Sequence, residues 1–310
     1  MNERVPVTVV TGFLGAGKST LLERWLGELG DDTAVILNEW GEIGIDAELL
    51  GRRLRLIEIA GGCLCCRNQD ELARALTTLA EEAPSRVLVE TSGAASPAGV
   101  VRAITSGPGR DRLRLDGVVT VVDGSRLDRV LAFDLALEQL GFADVVVISH
   151  ADDVEDWQAV EANVSAHAPV AIRARATRGE VRVSAGEGAA LLDLLARRDE
   201  AFELPSTDRP AHEAIDAVSL QHDGELDEER FLDWVSEDLA EVEARILRLK
   251  GIVAMAGVDA RVVLQGVGEA VEVRLGNAWG EEPRSSKLVV LGLGLDAAAL
   301  ERGFFACVAV

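Results

Sequence analysis

The 310-residue sequence has little positive charge, few histidines and cysteines, and no tyrosine. Lysine and arginine together number 31 against 53 aspartates and glutamates, which gives a formal net charge of −22. So acidic a protein is not expected to bind nucleic acid or an anionic membrane. No apolar run approaches the ~18 residues of a membrane-spanning helix, and the first eight residues lack the basic and apolar segments of a signal peptide. We therefore expect a cytoplasmic protein.

The cysteines are too few and too clustered for a disulfide framework. Cys63, Cys65 and Cys66 fall within four residues, and Cys307 stands apart from them. A secreted domain would spread its cysteines along the chain. This distribution indicates a reducing compartment and a metal or redox role for the cluster.

The first part of the sequence alternates short apolar runs with helical patterns. The runs are continuous and rich in Val, Ile and Leu, which is typical of strands buried on both faces. Such alternation predicts an α/β fold, a doubly wound and mostly parallel sheet, with its ligands at the carboxyl edge of the strands. The predicted strands are residues 5–10, 34–37, 54–59, 87–89, 118–122 and 145–148, and the predicted helices are 19–29, 70–82, 126–140 and 154–167.

A polar stretch with two prolines separates this part from one with a different pattern. We expect the α/β domain over residues 1–200, a linker over 201–212 and a smaller α+β domain over 213–310. An apolar stripe at helical spacing predicts one long helix in the second domain. The predicted strands there are 215–220, 262–265, 270–275 and 287–291, and the predicted helices are 228–249 and 296–304.

Residues 12–19, GFLGAGKS, match the phosphate-loop pattern G-x-x-x-x-G-K-[ST] at each fixed position. The motif follows a predicted strand and opens a predicted helix, which is the context that it requires. Its glycines let backbone N–H groups approach phosphates, and the helix N-terminus adds partial positive charge. Lys18, one of three lysines in the chain, is expected to reach the β- and γ-phosphates. The nucleotide-binding residues predicted in this loop are Gly12, Gly15, Ala16, Gly17, Lys18, Ser19 and Thr20.

Two further predicted strands end in an acidic residue. Glu90 follows residues 87–89, and Asp123 follows residues 118–122. An acid at this edge can hold Mg²⁺ and its water shell or orient the attacking water. Glu90 is therefore predicted to be catalytic together with Lys18, and Ser19, Glu90 and Asp123 are predicted to hold Mg²⁺. Ordinary turn chemistry explains Asp123 equally well.

The segment Ser149-His150-Ala151-Asp152 occupies the place where P-loop GTPases carry N-K-x-D. The carboxylate of Asp152 can accept hydrogen bonds from guanine, and Ser149 can supply a shorter-reach bond in place of Asn. GTP is therefore favoured as the substrate. ATP or relaxed specificity stays open because Ser149 and His150 replace Asn and Lys, and a helix N-cap is the structural alternative for Asp152 or Asp153.

The sequence Gly61-Gly62-Cys63-Leu64-Cys65-Cys66 lies between a predicted strand and a predicted helix. Three thiolates make a soft site that suits Zn²⁺, with Co²⁺ or Cu(I) suited less well. Glu39 and Glu42, on a glycine-punctuated segment after the second strand, offer oxygen ligands to Mg²⁺ or to the thiol-bound metal. Buried structural cysteines, a redox pair and solvated loop acids are the alternatives.

Taken in order, these motifs resemble the CobW family of P-loop GTPases, the relatives of UreG and HypB. N-E-x-G-E-x-G-x-D, G-G-C-x-C-C and E-T-S-G follow the phosphate loop, and Trp279 and residues 284–289 resemble the family's second domain. The resemblance covers nearly the whole chain and implies a GTP-hydrolysing metallochaperone. In such a protein, Cys63, Cys65 and Cys66 bind the cargo metal beside the nucleotide switch, and hydrolysis releases it to a client metalloprotein. A homodimer that forms with nucleotide or metal is compatible with this picture.

The main alternative is a nucleotide-dependent assembly or activation factor for one metalloenzyme. Residues 223–243 contain ten acids and one base, and this acidic helix and the cysteines would then contact the client. A metal sensor without turnover fits less well, because Lys18, Ser19 and Glu90 are intact. A small-molecule kinase gives no reason for the thiol cluster. The four histidines do not cluster, which argues against metal storage on a histidine tract.

Overall fold

The computed structural model describes residues 4–29, 32–37, 55–58, 69–183, 191–197, 216–239, 246–267 and 270–309. The chain forms two compact units, Met1–Arg198 and Asp199–Val310. The predicted linker, residues 201–212, lies outside the described residues. No helix among those described is long and apolar enough to cross a membrane.

A twisted sheet flanked by helices forms the first unit. Its strands are β1 Val5–Thr11, β2 Thr33–Leu37, β3 Arg55–Glu58, β4 Arg86–Glu90, β5 Leu113–Asp123, β6 Val145–Ser149, β7 Ile172–Thr177 and β8 Glu180–Val183. They lie in the order β3-β2-β4-β1-β5-β6-β7-β8. The first seven strands pair in parallel, and β8 runs antiparallel to β7. The predicted mostly parallel α/β sheet is confirmed.

Among the described residues, seven helices connect these strands or follow them. They are α1 Lys18–Leu26, α2 Gln69–Glu82, α3 Ala98–Thr105, α4 Leu127–Val130, α5 Asp134–Gly141, α6 Trp157–His167 and α7 Leu191–Arg197. The single helix predicted over 126–140 is wrong, since α4 and α5 are separated. Phe133 takes an extended conformation (φ −106°, ψ 122°) at the start of α5, which interrupts the helical path. The patterns also do not predict α3, α7, β7 and β8.

Both faces of the sheet are buried, which explains why its strands are continuously apolar. Within β6, Val145 and Val147 pack in the cluster that contains Leu22 and Trp25 of α1. Val146 and Ile148 pack into a different cluster on the other face. Alternate residues of one strand therefore reach opposite layers of helices, which explains why successive positions of β6 are apolar.

The second unit is an antiparallel sheet with helices on one face. Its elements are β9 Asp216–His222, α8 Glu228–Asp233, β10 Ile246–Val253, β11 Ala260–Val267, β12 Ala270–Ala278, β13 Ser286–Gly292 and α9 Ala297–Ala306. The strands lie in the order β12-β11-β10-β13-β9. Phe231 of α8 and Phe304 of α9 are fully buried in one core cluster with Leu220 and Leu264. The predicted smaller α+β fold is confirmed.

The long helix predicted over residues 228–249 is wrong. Helix α8 ends at Asp233 and continues only as a π-helical turn, Trp234–Asp238, whereas Ile246 begins the central strand β10. Ile246 satisfies the helical spacing of the upstream residues and also opens a new apolar run, so the pattern alone extends the helix too far. Residues 246–253 form a strand because they pair with strands on both sides. The fit to β13 is close, since a Cβ on Gly251 would lie 2.8 Å from the carbonyl oxygen of Lys287.

A buried ion cluster holds the amino-terminal part of β5 against β1 and β4. Between β1 and β5 the register shifts so that Val7 faces Leu115 and Thr8 faces Gly117, which leaves Asp116 as the extra residue of a bulge. Asp116 accepts hydrogen bonds from Arg86 of β4 and, at 2.7 Å, from Arg114. Its side chain is only 12% exposed. Two arginines thus neutralise one carboxylate within the sheet.

Replacing Asp116 with alanine is expected to lower the free energy of unfolding by about 2–4 kcal/mol. The variant leaves the guanidinium groups of Arg86 and Arg114 without this carboxylate at a site that is largely shielded from water. The matched control is Asp111→Ala. Asp111 also lies beside an arginine, but its side chain is 89% exposed, so the loss should stay below about 0.5 kcal/mol. Urea unfolding followed by circular dichroism measures both variants. Equal losses would show that the cluster contributes no more than a surface ion pair.

Candidate nucleotide site

The turn between β1 and α1 is shaped for close backbone approach. Gly12, Gly15 and Gly17 all have positive φ values, of 141°, 73° and 91°. At Gly12 an added Cβ would lie 2.1 Å from the carbonyl oxygen of Val121 in β5, so only glycine fits there. Gly17 precedes the first residue of α1 in a left-handed conformation. A turn of this shape lets a phosphate approach the N-terminus of α1, where helix geometry favours an anion.

Lys18 is the first residue of α1 and is only 7% exposed. Its ammonium group lies along the loop, with Nζ 3.5 Å from the carbonyl oxygen of Phe13. Thr20 is exposed on α1, one residue beyond Ser19. Ala16 is buried, and its amide donates to the same Phe13 carbonyl at 3.2 Å. The predicted phosphate-binding residues are therefore contiguous around one concave turn.

Ser19 and Glu90 are brought together by the pairing of β1 with β4. Val10 faces Glu90 across the two strands, which places the acid at the carboxyl end of the sheet beside the loop. The Ser19 hydroxyl donates to Oε1 of Glu90 at 3.2 Å, and Glu90 is 6% exposed. A hydroxyl and a carboxylate in contact are hard oxygen ligands, and this donor set fits Mg²⁺.

Asp123 ends β5 and is engaged in a turn. Its Oδ1 accepts hydrogen bonds from the amide of Ser125 at 3.0 Å and from the hydroxyl of Ser125 at 2.7 Å. Nδ1 of His150 lies 3.6 Å from the same oxygen. These contacts are those of a residue that caps a turn, so the assignment of Asp123 to Mg²⁺ stays a prediction with less structural support than that of Ser19 and Glu90.

Ser149 ties the end of β6 to the phosphate loop. Its hydroxyl lies 2.6 Å from the carbonyl oxygen of Ala16, to which it can donate. His150 follows with φ 52°, and Asp152 lies exposed in a single 3₁₀ turn where Thr177 donates to its Oδ1 at 3.1 Å. The N-cap of α6 is Asp156, which accepts from Ala159, so the N-cap interpretation of Asp152 and Asp153 is wrong.

Helix α5 contacts both loops of the site, and the sequence carries no motif that marks it. Phe133 at its start stacks on Phe13 of the phosphate loop with ring centroids 4.7 Å apart. Gln139, buried on α5, donates to the carbonyl oxygen of Ala95 at 2.9 Å. Between these anchors, a Cβ on Gly93 would lie 2.8 Å from the backbone nitrogen of Leu14. The loop after Glu90 therefore rests directly on the phosphate loop.

The predicted thiol site lies outside the described residues. This applies to Cys63, Cys65 and Cys66 and also to Glu39 and Glu42. Within the described part of the chain, no group of three or more His, Cys, Asp and Glu side chains is placed to hold a metal ion. Cys307 is 2% exposed in the core of the second unit, where its thiol contacts the carbonyl oxygen of Gly303 at 3.2 Å. That position excludes Cys307 as an accessible metal ligand.

Comparison with known proteins agrees with this architecture over both units. Residues 6–175 match the family described as CobW/HypB/UreG, nucleotide-binding domain, and residues 215–308 match the cobalamin synthesis protein cobW C-terminal domain. A Pseudomonas aeruginosa protein named zinc chaperone CobW is 34% identical, over 96% of this chain and 90% of its own length. The Escherichia coli zinc chaperone YjiA is 29% identical, over 97% and 98%. The crystal structure of Zn(II)-bound YjiA GTPase superposes with a TM-score of 0.72 at 25% identity, over 99% of this chain and 100% of that one.

Proposed function

The chain belongs to the CobW/HypB/UreG family of P-loop GTPases, and from this premise we propose that it is a GTP-hydrolysing metallochaperone that delivers Zn²⁺ to a client metalloprotein. The main observation in support of GTP binding and hydrolysis is the hydrogen bond between Ser19 and Glu90, beside a phosphate loop whose turn depends on glycines. The zinc half is supported by relatives that are named zinc chaperones and match nearly the whole chain.

The residues of the loop divide the work of holding a nucleoside triphosphate. The backbone of the loop and the N-terminus of α1 bind the phosphates, and Lys18 moves from the Phe13 carbonyl to the β- and γ-phosphate oxygens. Ser19 and Glu90 would hold Mg²⁺, which neutralises the charge that develops on the phosphates. Glu90 orients the attacking water, since it lies at the strand end nearest the loop and is shielded from solvent.

The base is read at the end of β6. The Asp152 carboxylate accepts hydrogen bonds from guanine, a pattern that adenine does not offer. Ser149 takes the structural part of the usual asparagine, because its hydroxyl already bridges to the phosphate loop through the Ala16 carbonyl. Because the side chain of Ser149 is shorter than that of asparagine and is already bonded to the loop, selectivity for GTP over ATP depends mainly on Asp152.

The cargo metal is a substrate of this cycle. Cys63, Cys65 and Cys66 are the proposed ligands, with Glu42 or Glu39 as an oxygen ligand, because three thiolates favour Zn²⁺ over harder ions. Co²⁺ fits the same donors less well. Coupling between the two sites must be reciprocal: if GTP tightens metal binding, metal tightens GTP binding by the same factor.

The experiment that tests the proposal is metal binding as a function of nucleotide. Apo-protein under reducing conditions is titrated with Co²⁺, read by its thiolate absorption bands, and then competed with Zn²⁺. We expect GTPγS with Mg²⁺ to tighten binding by about 5- to 150-fold over GDP, while ATPγS has little effect. Cys65→Ala should remove the tight site and leave GTP binding intact.

The same titration distinguishes the alternative, a nucleotide-dependent activator that holds its client through the cysteines and the acidic segment 228–243. Equal metal affinity with GTPγS, GDP and no nucleotide would contradict the coupled chaperone. Loss of client binding both in Cys65→Ala and in a variant with Lys at Glu228 and Glu229 would then favour the activator.

A further inference from the structure

The apolar face of the C-terminal sheet continues onto an exposed edge. Strand β12 is the last strand of this sheet, with β11 as its neighbour within the described residues. Val273 faces Leu264 of β11, a fully buried core residue, yet Val273 itself is 43% exposed. Val271 and Leu275, which share this face, are 40% and 68% exposed. Three large apolar side chains in a row thus end the sheet without cover from the described helices.

The opposite face of β12 carries two charges of opposite sign. Glu272 and Arg274 alternate with the apolar residues and face Gln265 and Val263 of β11. The ladder is regular from Ala270 to Leu275, and its register shift lies beyond this stretch. Edge strands that resist pairing carry a proline, a bulge, an inward-facing charge or charged side chains, lysine above all. The segment 270–275 has no proline, lysine or bulge, and its two charges are of opposite sign.

We propose that β12 pairs antiparallel with β12 of a second copy of this chain, which joins two five-stranded sheets into one continuous sheet. A two-fold axis through Val273 places the Val273 side chains of the two copies opposite each other. It also places Val271 opposite Leu275 twice on the apolar face, and Glu272 opposite Arg274 twice on the polar face. One strand therefore supplies both halves of an apolar stripe and both halves of two ion pairs.

The charges select this register over its neighbours. Moving the axis to Glu272 sets the two Glu272 carboxylates against each other, and moving it to Arg274 does the same with the guanidinium groups. Directly opposed like charges destabilise an antiparallel pair. A shift by a single residue would turn the apolar face of one copy toward the polar face of the other. The strand is complementary to itself in one alignment, which is the property that a two-fold symmetric contact requires.

Sedimentation velocity of the full chain, without nucleotide and with a metal chelator, tests the proposal over about 1 to 100 µM. We expect a monomer–dimer equilibrium. Arg274→Glu should weaken the dimer at least about tenfold, because each Glu272 then faces another carboxylate. The double variant Glu272→Arg/Arg274→Glu should restore dimerisation, since the same pairs form with their signs exchanged. Arg302→Glu, an exposed charge reversal on α9, is the matched control and should change nothing.

Cross-linking checks the register. In a chain whose Cys63, Cys65 and Cys66 are replaced by serine, Val273→Cys should form an intermolecular disulfide under mild oxidation. Arg274→Cys should not, because its two copies lie on a diagonal and beyond the Cα separation of about 7 Å that a disulfide spans. A chain that stays monomeric at the highest concentration overturns the proposal. So does a dimer that is indifferent to Arg274→Glu or is not restored by the exchange. None of these readouts requires GTP or metal, so a failure of this proposal can be distinguished from a failure of the proposed chaperone function.

Discussion

Replacing Lys18 with alanine is expected to weaken GTP binding by about 10²- to 10³-fold and to bring hydrolysis below detection. Lys18 is 7% exposed and is the first residue of α1, at the end of the phosphate loop, so its ammonium group is placed to bind phosphate oxygens. The proposed charge-assisted bonds from Lys18 to the β- and γ-phosphates would each contribute about 1.5–3 kcal/mol, and the variant loses both together.

The chain has three lysines, and one of them in the other unit serves as the control. Lys287 on β13 is partly exposed in the other unit, and Lys287→Ala should leave GTP binding unchanged. Lys18→Arg is the second test: it keeps the charge but places a wider planar group in a buried site, so we expect it to fail almost as badly. Binding is measured by fluorescence titration with a labelled GTP analogue. If Lys18→Ala bound GTP within a few-fold of the parent, the phosphate-loop assignment would be wrong.

The parts of the fold that the sequence predicts correctly are those in which one local pattern decides the outcome. Strands buried on both faces, such as β6, are continuously apolar because Val145 and Val146 each meet a separate helical layer. The glycine pattern of residues 12–19 agrees with the backbone of the turn, as the close approach of Gly12 to Val121 shows, and the binding of a nucleotide there stays a prediction.

The parts that the sequence does not predict depend on contacts between distant segments. Strand β10 is fixed by pairing with β11 and β13, and Ile246 alone is compatible with either a helix or a strand. Gln139 lies 44 residues from Ala95, to which it donates, and carries no motif. The hydrogen bond from Ser149 to the Ala16 carbonyl joins residues that are 133 positions apart in the sequence. Ser149, which replaces the asparagine of the guanine motif, therefore contacts the phosphate loop.

Glu90→Gln is expected to lower kcat by about 10²-fold while GTP affinity changes little. The amide can still accept the hydrogen bond that Ser19 donates to Oε1 at 3.2 Å, so the loop keeps its position. What it loses is the negative charge that we propose orients the attacking water and favours Mg²⁺. The Mg²⁺ concentration needed for half-maximal hydrolysis should therefore rise as well, and phosphate release at varied Mg²⁺ measures both effects.

Glu138→Gln makes the same change in an acid of helix α5. Glu138 accepts a hydrogen bond from the hydroxyl of Ser96 at 2.6 Å, in the segment that follows Glu90, and its amide counterpart can accept the same bond. Because this acid supports the segment without contacting Ser19, its loss of charge should leave kcat within about threefold of the parent. If the two variants slowed hydrolysis equally, Glu90 would act by shaping the loop. A large loss of kcat confined to Glu90→Gln would instead show that hydrolysis needs the negative charge of Glu90. That result would distinguish a protein that hydrolyses GTP from one that only binds it.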